Sequence, residues 1–253
     1  MSYRLRRLQG RLAGQGAVAA PSLSAVAAAD GATEWYTFDE ASGNLLDHGA
    51  GAWNLASHSQ VTRGVAAVNG PDRLAYTFIT TSQGATTYGH TQGQRPLRSS
   101  WNRMTLEAIV AVAADCPVNV TIIDAAAVGT IGGLWGLGTD ASGNILGTLA
   151  TNNPDSRVFA NSLAGRTSFR HYLWLFDGSF HTGYMNGVQG YSAAAAQTGN
   201  FFDDTSGNAR QAFGGNCDSG AANSHSSIDF FALYGNIVLS AGQIANHFAL
   251  SGC

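Results

Sequence analysis

The sequence has no lysine. Its 13 basic residues are all arginine, and charged residues make up 11% of the 253 positions, less than half the usual share of about 25%. A helical bundle or coiled coil needs Glu, Lys and Arg on its exposed faces, so neither is compatible with this composition. Cysteine is also sparse. Cys116, Cys217 and Cys253 are an odd number at wide, irregular spacing, which fits neither a disulfide framework nor a zinc pattern and predicts free, partly buried thiols. No apolar run approaches the ~18 residues of a membrane span. Glutamate occurs three times, at Glu34, Glu40 and Glu107, which leaves little material for paired-carboxylate chemistry. A net charge of −3 gives no global reason to bind nucleic acid.

What is abundant is glycine, with 32 residues against a usual share of about 7%. Alanine, serine, threonine and asparagine fill the spaces between short apolar runs. A chain near this length buries roughly 70–75% of its unfolded surface, enough for one large domain. Charge is uneven along it. Arg4, Arg6, Arg7 and Arg11 precede the first acid, Asp30, and the rest of the chain carries a net −7. Basic segments of this kind touch nucleic acid, membranes or acidic protein surfaces, and four charges do not choose among these.

This N-terminal region carries the outline of a signal peptide, with Arg4–Arg11 as the charged part and alanine-rich text up to Ala28-Ala29. Gly14, Gly16, Pro21 and Ser22 break its apolar part, so the segment reads as retained. Residues 1–30 are expected to form an extended arm, with residues 31–253 as the domain. Isolated, such a segment cannot offset an ordering cost of roughly 1–2 kcal/mol per residue. A neighbouring subunit is therefore expected to hold it, its carboxylates pairing with the four arginines and its apolar pockets taking Tyr3, Leu5, Leu8 and Leu12.

After Asp30 the texture is all-β: aromatic and β-branched runs punctuated by Gly, Asn, Asp and Ser. Strands are predicted over Glu34–Asp39, Leu74–Ile79, Met104–Ala111, Val118–Ile123, Ile131–Leu137, Ile145–Ala150, Thr167–Phe176, Phe180–Met185, Val188–Ser192 and Ile228–Tyr234. Asn186-Gly187 is a strong hairpin dipeptide, because both central residues of a type I′ turn need positive φ. Ser-Gly-Asn recurs at 42–44, 142–144 and 206–208, which is recurrent turn chemistry rather than an internal repeat. One helix is well marked near the C-terminus. Ser240 and Gln243 form a capping box, Leu239 and Ile244 a hydrophobic staple, and Gly252 a stop.

Four blocks, in order, resemble the concanavalin A-like jelly roll of the laminin-G type found in bacterial and bacteriophage proteins. They are Trp35–Gly43 with Asp47 beyond, Trp101–Val112, His171–Ser192 with its Asp177-Gly178-Ser179 and Asn186-Gly187 turns, and Ile228–Tyr234 followed by Leu239–Ile244. Together they span about residues 33–250. Phe230 and Gln243 stand where the family usually has Glu. The resemblance implies a sandwich of two antiparallel sheets and a lectin-like surface module, frequent among the structural proteins of tailed phages.

Catalytic patterns are absent. The glucanase branch of this fold carries Glu-x-Asp-x-x-Glu on one strand, setting carboxyls on one face for glycoside hydrolysis; no such run occurs. Glu107 lies alone in an apolar strand and His171 in an aromatic one, so both are read as structural, hydrogen-bonded side chains. Cys217-Asp218-Ser219-Gly220 lacks the flanking residues of a trypsin-like serine site. The nucleophile elbow, the zinc-protease helix, the P-loop and the dinucleotide fingerprint are missing.

The expected function is therefore non-enzymatic: a bacteriophage virion component (head decoration, head fibre or tail) using a lectin-like jelly roll, with host-surface glycans as a candidate ligand. Its partners would be other virion proteins or identical subunits, held through Arg4, Arg6, Arg7 and Arg11. A secreted bacterial carbohydrate-binding module is the alternative, and a polysaccharide-degrading enzyme is disfavoured. No cofactor is required. Calcium is the candidate metal, with Asp203, Asp204, Asp39 and Asp47 as oxygen ligands and Asp140 behind them; Asx-turns account for the same residues more economically. Trp53, Tyr88, His90 and Tyr191 lie in loop-like text where sugar-stacking aromatics would be found, whereas Trp135 and Trp174 read as core.

Overall fold

The computed structural model describes residues 21–56, 61–67, 74–78, 89–90, 101–127, 135–151, 153–158, 167–194, 209–215 and 224–253. The elements are α1 (Leu23–Ala29), β1 (Glu34–Tyr36), β2 (Leu55–Ala56), β3 (Val61–Ala66), β4 (Leu74–Phe78), β5 (Gly89–His90), β6 (Met104–Val112), β7 (Thr121–Ala127) and β8 (Trp135–Thr139). They continue with β9 (Ile145–Thr151), β10 (Asn153–Val158), β11 (Arg170–Phe176), β12 (Phe180–Met185), β13 (Val188–Ala194), β14 (Ala209–Phe213), β15 (Ser226–Gly235) and α2 (Ala241–Ser251).

Two antiparallel sheets dominate. The larger has the order β13-β12-β11-β6-β15-β4-β3, and the smaller β10-β9-β8-β7-β14. β1 also joins β15, through Phe231–Leu233, while β4 takes its other end at Ser226–Ile228. A short β2–β5 ladder stands apart. The expected two-sheet sandwich is what forms.

The main core fills the space between the sheets. β6 sends Leu106, Ala108 and Val110 inward, β11 sends Tyr172, Trp174 and Phe176, and the smaller sheet answers with Ile123, Leu137, Ile145 and Phe213. Alternation on a strand puts every second residue on one face. Phe213 contacts Tyr36, Phe38 and Phe231 edge-on, with ring centroids 5.0–5.3 Å apart. Such pairs add about 0.5–1.5 kcal/mol beyond their buried area.

The opposite face of the larger sheet is covered too. There Ile109, Leu173, Leu175, Phe230, Ala232 and Tyr234 pack under Leu23, Ala27, Leu239 and Ile244. This double coverage explains why β6 is buried along its whole length and is apolar apart from Thr105 and Glu107. A bulge between Ile228 and Phe230 shifts the phase of β15. Ile228, Phe231 and Leu233 then face the other sheet, and Phe230, Ala232 and Tyr234 face the helices.

The C-terminal helix has the expected ends: the Ser240–Gln243 capping box is present and Gly252 takes φ 78°. Asn186 (φ 49°) and Gly187 (φ 72°) make the β12–β13 hairpin. The arm expected over residues 1–30 needs correction at its inner end. Ser22 caps a second helix, α1, whose Leu23 and Ala27 are buried. Pro21 and Ser22, read as breaks, are instead a helix start. Residues 1–20, including Arg4, Arg6, Arg7 and Arg11, lie outside the described residues. The first strand ends at Tyr36 rather than Asp39, because Phe38 adopts φ 54°. β2, β3, β5, β10 and β14 are not among the strands expected from the sequence.

Candidate functional site

A polar cluster is sealed between the larger sheet and the helices. Glu107 points from β6 into the helix-covered face, 0% exposed. Its Oε1 accepts from His171 Nε2 of β11 at 2.6 Å, and its Oε2 from the Tyr234 hydroxyl of β15 at 2.7 Å. His247 of α2 reaches both carboxylate oxygens from Nδ1, at 3.1 and 3.0 Å. Its Nε2 meets Asp30 Oδ2, at the C-cap of α1, at 2.9 Å. One carboxylate thus joins three adjacent strands to both helices.

Burial alone would raise the Glu107 carboxyl. Hydrogen bonds from His171 and His247, with the positive charge those rings can carry, outweigh it and hold the carboxyl at about 2. Burial opposes protonation of His247, but Glu107 and then Asp30 raise it above its ordinary value. Burial and the neighbouring carboxylate push Tyr234 upward. Perturbed groups of this kind also mark active sites. Here Glu107, His171 and His247 have no exposed surface, so a substrate cannot reach them. Glu107 and His171 are structural, hydrogen-bonded side chains as expected, and no sequence motif links them to His247, Tyr234 and Asp30, which complete their network.

Among the described residues, the calcium candidates Asp39, Asp47 and Asp140 form no shared metal-ligating group. Asp47 is buried, and its carboxylate accepts backbone N–H groups of Trp35, Gly49 and Trp53 at 3.2, 2.8 and 3.0 Å. Burial alone would raise the Asp140 carboxyl, but N–H groups of Ser142 and Asn144 at 2.8 Å and the Asn144 amide at 3.0 Å together hold it below its ordinary value. These are loop staples whose oxygens are already met by positive N–H dipoles. Asp39 accepts the Thr37 hydroxyl at 2.8 Å. Asp203 and Asp204 lie outside the described residues. Among the described residues, no three His, Cys, Asp or Glu side chains are placed to share one metal ion.

The loop aromatics singled out in the sequence fall on separate elements where they are described. Trp53 is half-buried, with its carbonyl accepting the Tyr36 hydroxyl. Tyr191 lies on β13 opposite Gly183, and His90 is in β5. Tyr88 is outside the described residues. Trp174 is core, as expected. Cys116 is buried and Cys253 half-buried; Cys217 lies outside the described residues.

An open cleft of about 400 Å³ lies beside α1. Ser22, Leu23 and Ser24 form one wall, Thr37, Asp39 and His48 the rim, and Leu74, Asp229, Phe230 and Leu250 the remaining lining. The bulge of β15 delivers Asp229 to this cleft. Bulges characteristically re-aim side chains beside functional sites. The rim is ordered by its own bonds: Thr37 Oγ1 lies between Asp39 and His48 Nε2, 3.2 Å from the latter. The His48 ring stacks on Trp35 at 6.2 Å, and the Trp35 indole donates to Ser24 Oγ at 2.9 Å.

No family model matches the sequence, and no curated protein does. Solved structures share its fold. One is the binding domain of Paraclostridial Mosquitocidal Protein 1, with a TM-score of 0.61 and 13% identity, over 87% of this chain and 52% of that one. Another is the receptor-binding domain of botulinum neurotoxin type G, at 0.60 and 14%, over 87% of this chain and 51% of that one. A third is domain 4 of an extracellular arabinanase from Geobacillus stearothermophilus, in complex with arabinotriose, at 0.59 and 15%. The chain spans about half the length of the toxin domains but matches 98% of the arabinanase domain. Its fold is the β-sandwich that these domains share.

Proposed function

We propose that this chain is a non-enzymatic, lectin-like module whose role is to bind glycan. The observation that carries this reading is the match to almost the whole of a domain solved with arabinotriose. The sealing of Glu107, the carboxylate with the most strongly placed histidine partners, supports recognition over turnover. Glycan-array binding by the purified chain, followed by titration calorimetry on the best ligands, tests it. Absence of saccharide binding, or turnover of β-glucans, overturns it.

The setting we infer is a bacteriophage particle, with the sandwich as a head-decoration, fibre or tail module. The four concanavalin A-like sequence blocks support this, as does the basic segment Arg4–Arg11 ahead of an acidic body. The arm available to a partner is residues 1–20, since α1 belongs to the domain. Deleting residues 1–20 should leave the domain folded and remove it from the particle. A secreted carbohydrate-binding module is the second reading, favoured by the match to a domain of an extracellular arabinanase. Cleavage after Ala28 or Ala29 would strip Leu23 and Ala27 from the helix-covered core, which speaks for the first setting. N-terminal sequencing of the native protein distinguishes the two.

A further inference from the structure

We propose that the cleft between α1, the segment after β1 and the bulge of β15 is the glycan site, and that it takes a neutral sugar through two adjacent hydroxyl groups. This inference rests on the glycan-binding reading above and goes beyond it by assigning the site and the ligand class.

The hydrogen-bond arithmetic of the rim sets the ligand chemistry. Thr37 has one hydroxyl proton, donated to Asp39 Oδ1 at 2.8 Å. Its oxygen is then an acceptor for His48 Nε2, 3.2 Å away. In the tautomer that carries its proton on Nε2, the His48 ring presents Nδ1 as an acceptor. Asp39 Oδ2 is a second acceptor on the same rim. Two acceptors on one rim match two hydroxyl donors, which is what vicinal hydroxyls on a sugar ring supply. Ser24 keeps its own hydroxyl proton, because its oxygen receives the Trp35 indole N–H, and so adds a donor for a ring or hydroxyl oxygen.

Size, lining and charge agree. A volume of about 400 Å³ falls within the roughly 300–1,000 Å³ of small-molecule sites. Leu23, Leu74, Phe230 and Leu250 provide apolar surface for the C–H face of a ring, while the hydroxyls meet the rim. Among the described residues, Asp39 and Asp229 line the cleft and no arginine does, so a uronic or sialic acid would bring its carboxylate toward two others. The rim is also pre-organised. Trp35 braces His48, and Ser24 fixes Trp35, which reduces the ordering cost of binding.

The test uses the full chain against arabinotriose, galactose, glucose and N-acetylglucosamine, with glucuronic acid and sialyllactose as acidic probes. The variants are Asp39→Ala and His48→Ala, both at exposed positions where folding should be unaffected, and Val188→Ser on the distant edge strand as control. The expected result is binding of at least one neutral sugar, weakened tenfold or more by each cleft variant and unchanged by the control. If the chain binds a neutral sugar and both cleft variants keep wild-type affinity, the site assignment fails while the glycan-binding reading stands. A preference for the acidic probes overturns the ligand class. If none of these sugars nor any glycan on an array binds, the functional reading itself fails and this inference with it.

Discussion

His247 Nδ1 lies 3.0 Å from Glu107 Oε2, while the Nε2 of the same ring lies 2.9 Å from Asp30 Oδ2. A carboxylate accepts and does not donate, so both nitrogens must carry protons and the ring is an imidazolium clamped between two anions. Removing one partner leaves a buried charge uncompensated, which typically costs about 3–5 kcal/mol. Glu107→Gln should lower stability by about that amount in denaturant unfolding, and His247→Ala by a comparable one.

The pH dependence follows from the two shifts. Glu107 is held at about 2 against an ordinary 4.5. Its contribution is therefore complete above about pH 4.5 and lost as pH falls toward 2. His247 is raised above its ordinary 6.5, so its contribution is complete below 6.5 and lost as pH rises through the folded-state value. The thermal midpoint should peak between about pH 4.5 and 6.5. Glu107→Gln should flatten both limbs of that profile; an unchanged profile would place the titrating groups elsewhere.

Phe213→Ala removes the ring that meets Tyr36, Phe38 and Phe231 at the centre of the sandwich. Large-to-small substitution of a buried phenylalanine costs about 3–5 kcal/mol. The variant should unfold at markedly lower urea, and a loss below about 1 kcal/mol would show that β14 is not docked as described.

Gly214 has φ +81°, and a Cβ there would lie 2.4 Å from the Phe78 ring. Gly214→Ala should destabilise through both strain and collision. The reverse control is Gly43→Ala, where φ is +81° but nothing lies within 4 Å, so the loss should be smaller. Equal thermal shifts for the two variants would contradict the close approach.

The sandwich was legible in the sequence where aromatics alternate, as in Tyr172, Trp174 and Phe176, or where turn chemistry is strong, as at Asn186-Gly187. β10 was hidden by Pro154, which reads as a loop residue but is tolerated because β10 is an edge strand. α1 was hidden by its length: seven residues with two buried positions show no measurable period. The phase of β15 was illegible because a single bulged residue reverses which face each later side chain takes. The same bulge explains why the cleft escaped notice, since it alone puts Asp229 there. Glu107 was recognisable as a buried carboxyl, but Asp30, His171, Tyr234 and His247 are far from it in sequence and meet it only through the topology.

β15 has a neighbour on each side. β6 runs along one edge, and β4 and β1 divide the other. It is also the last strand of the chain. Until residue 235 has left the ribosome, β6 lacks its partner on that side and β1, made some 200 residues earlier, has no partner in this sheet. Most of the sheet's defining contacts are therefore long-range, which slows folding and leaves apolar edges open meanwhile. The domain is built to close late and all at once, and its yield during synthesis should depend on chaperone occupancy of the nascent chain more than on any single core contact.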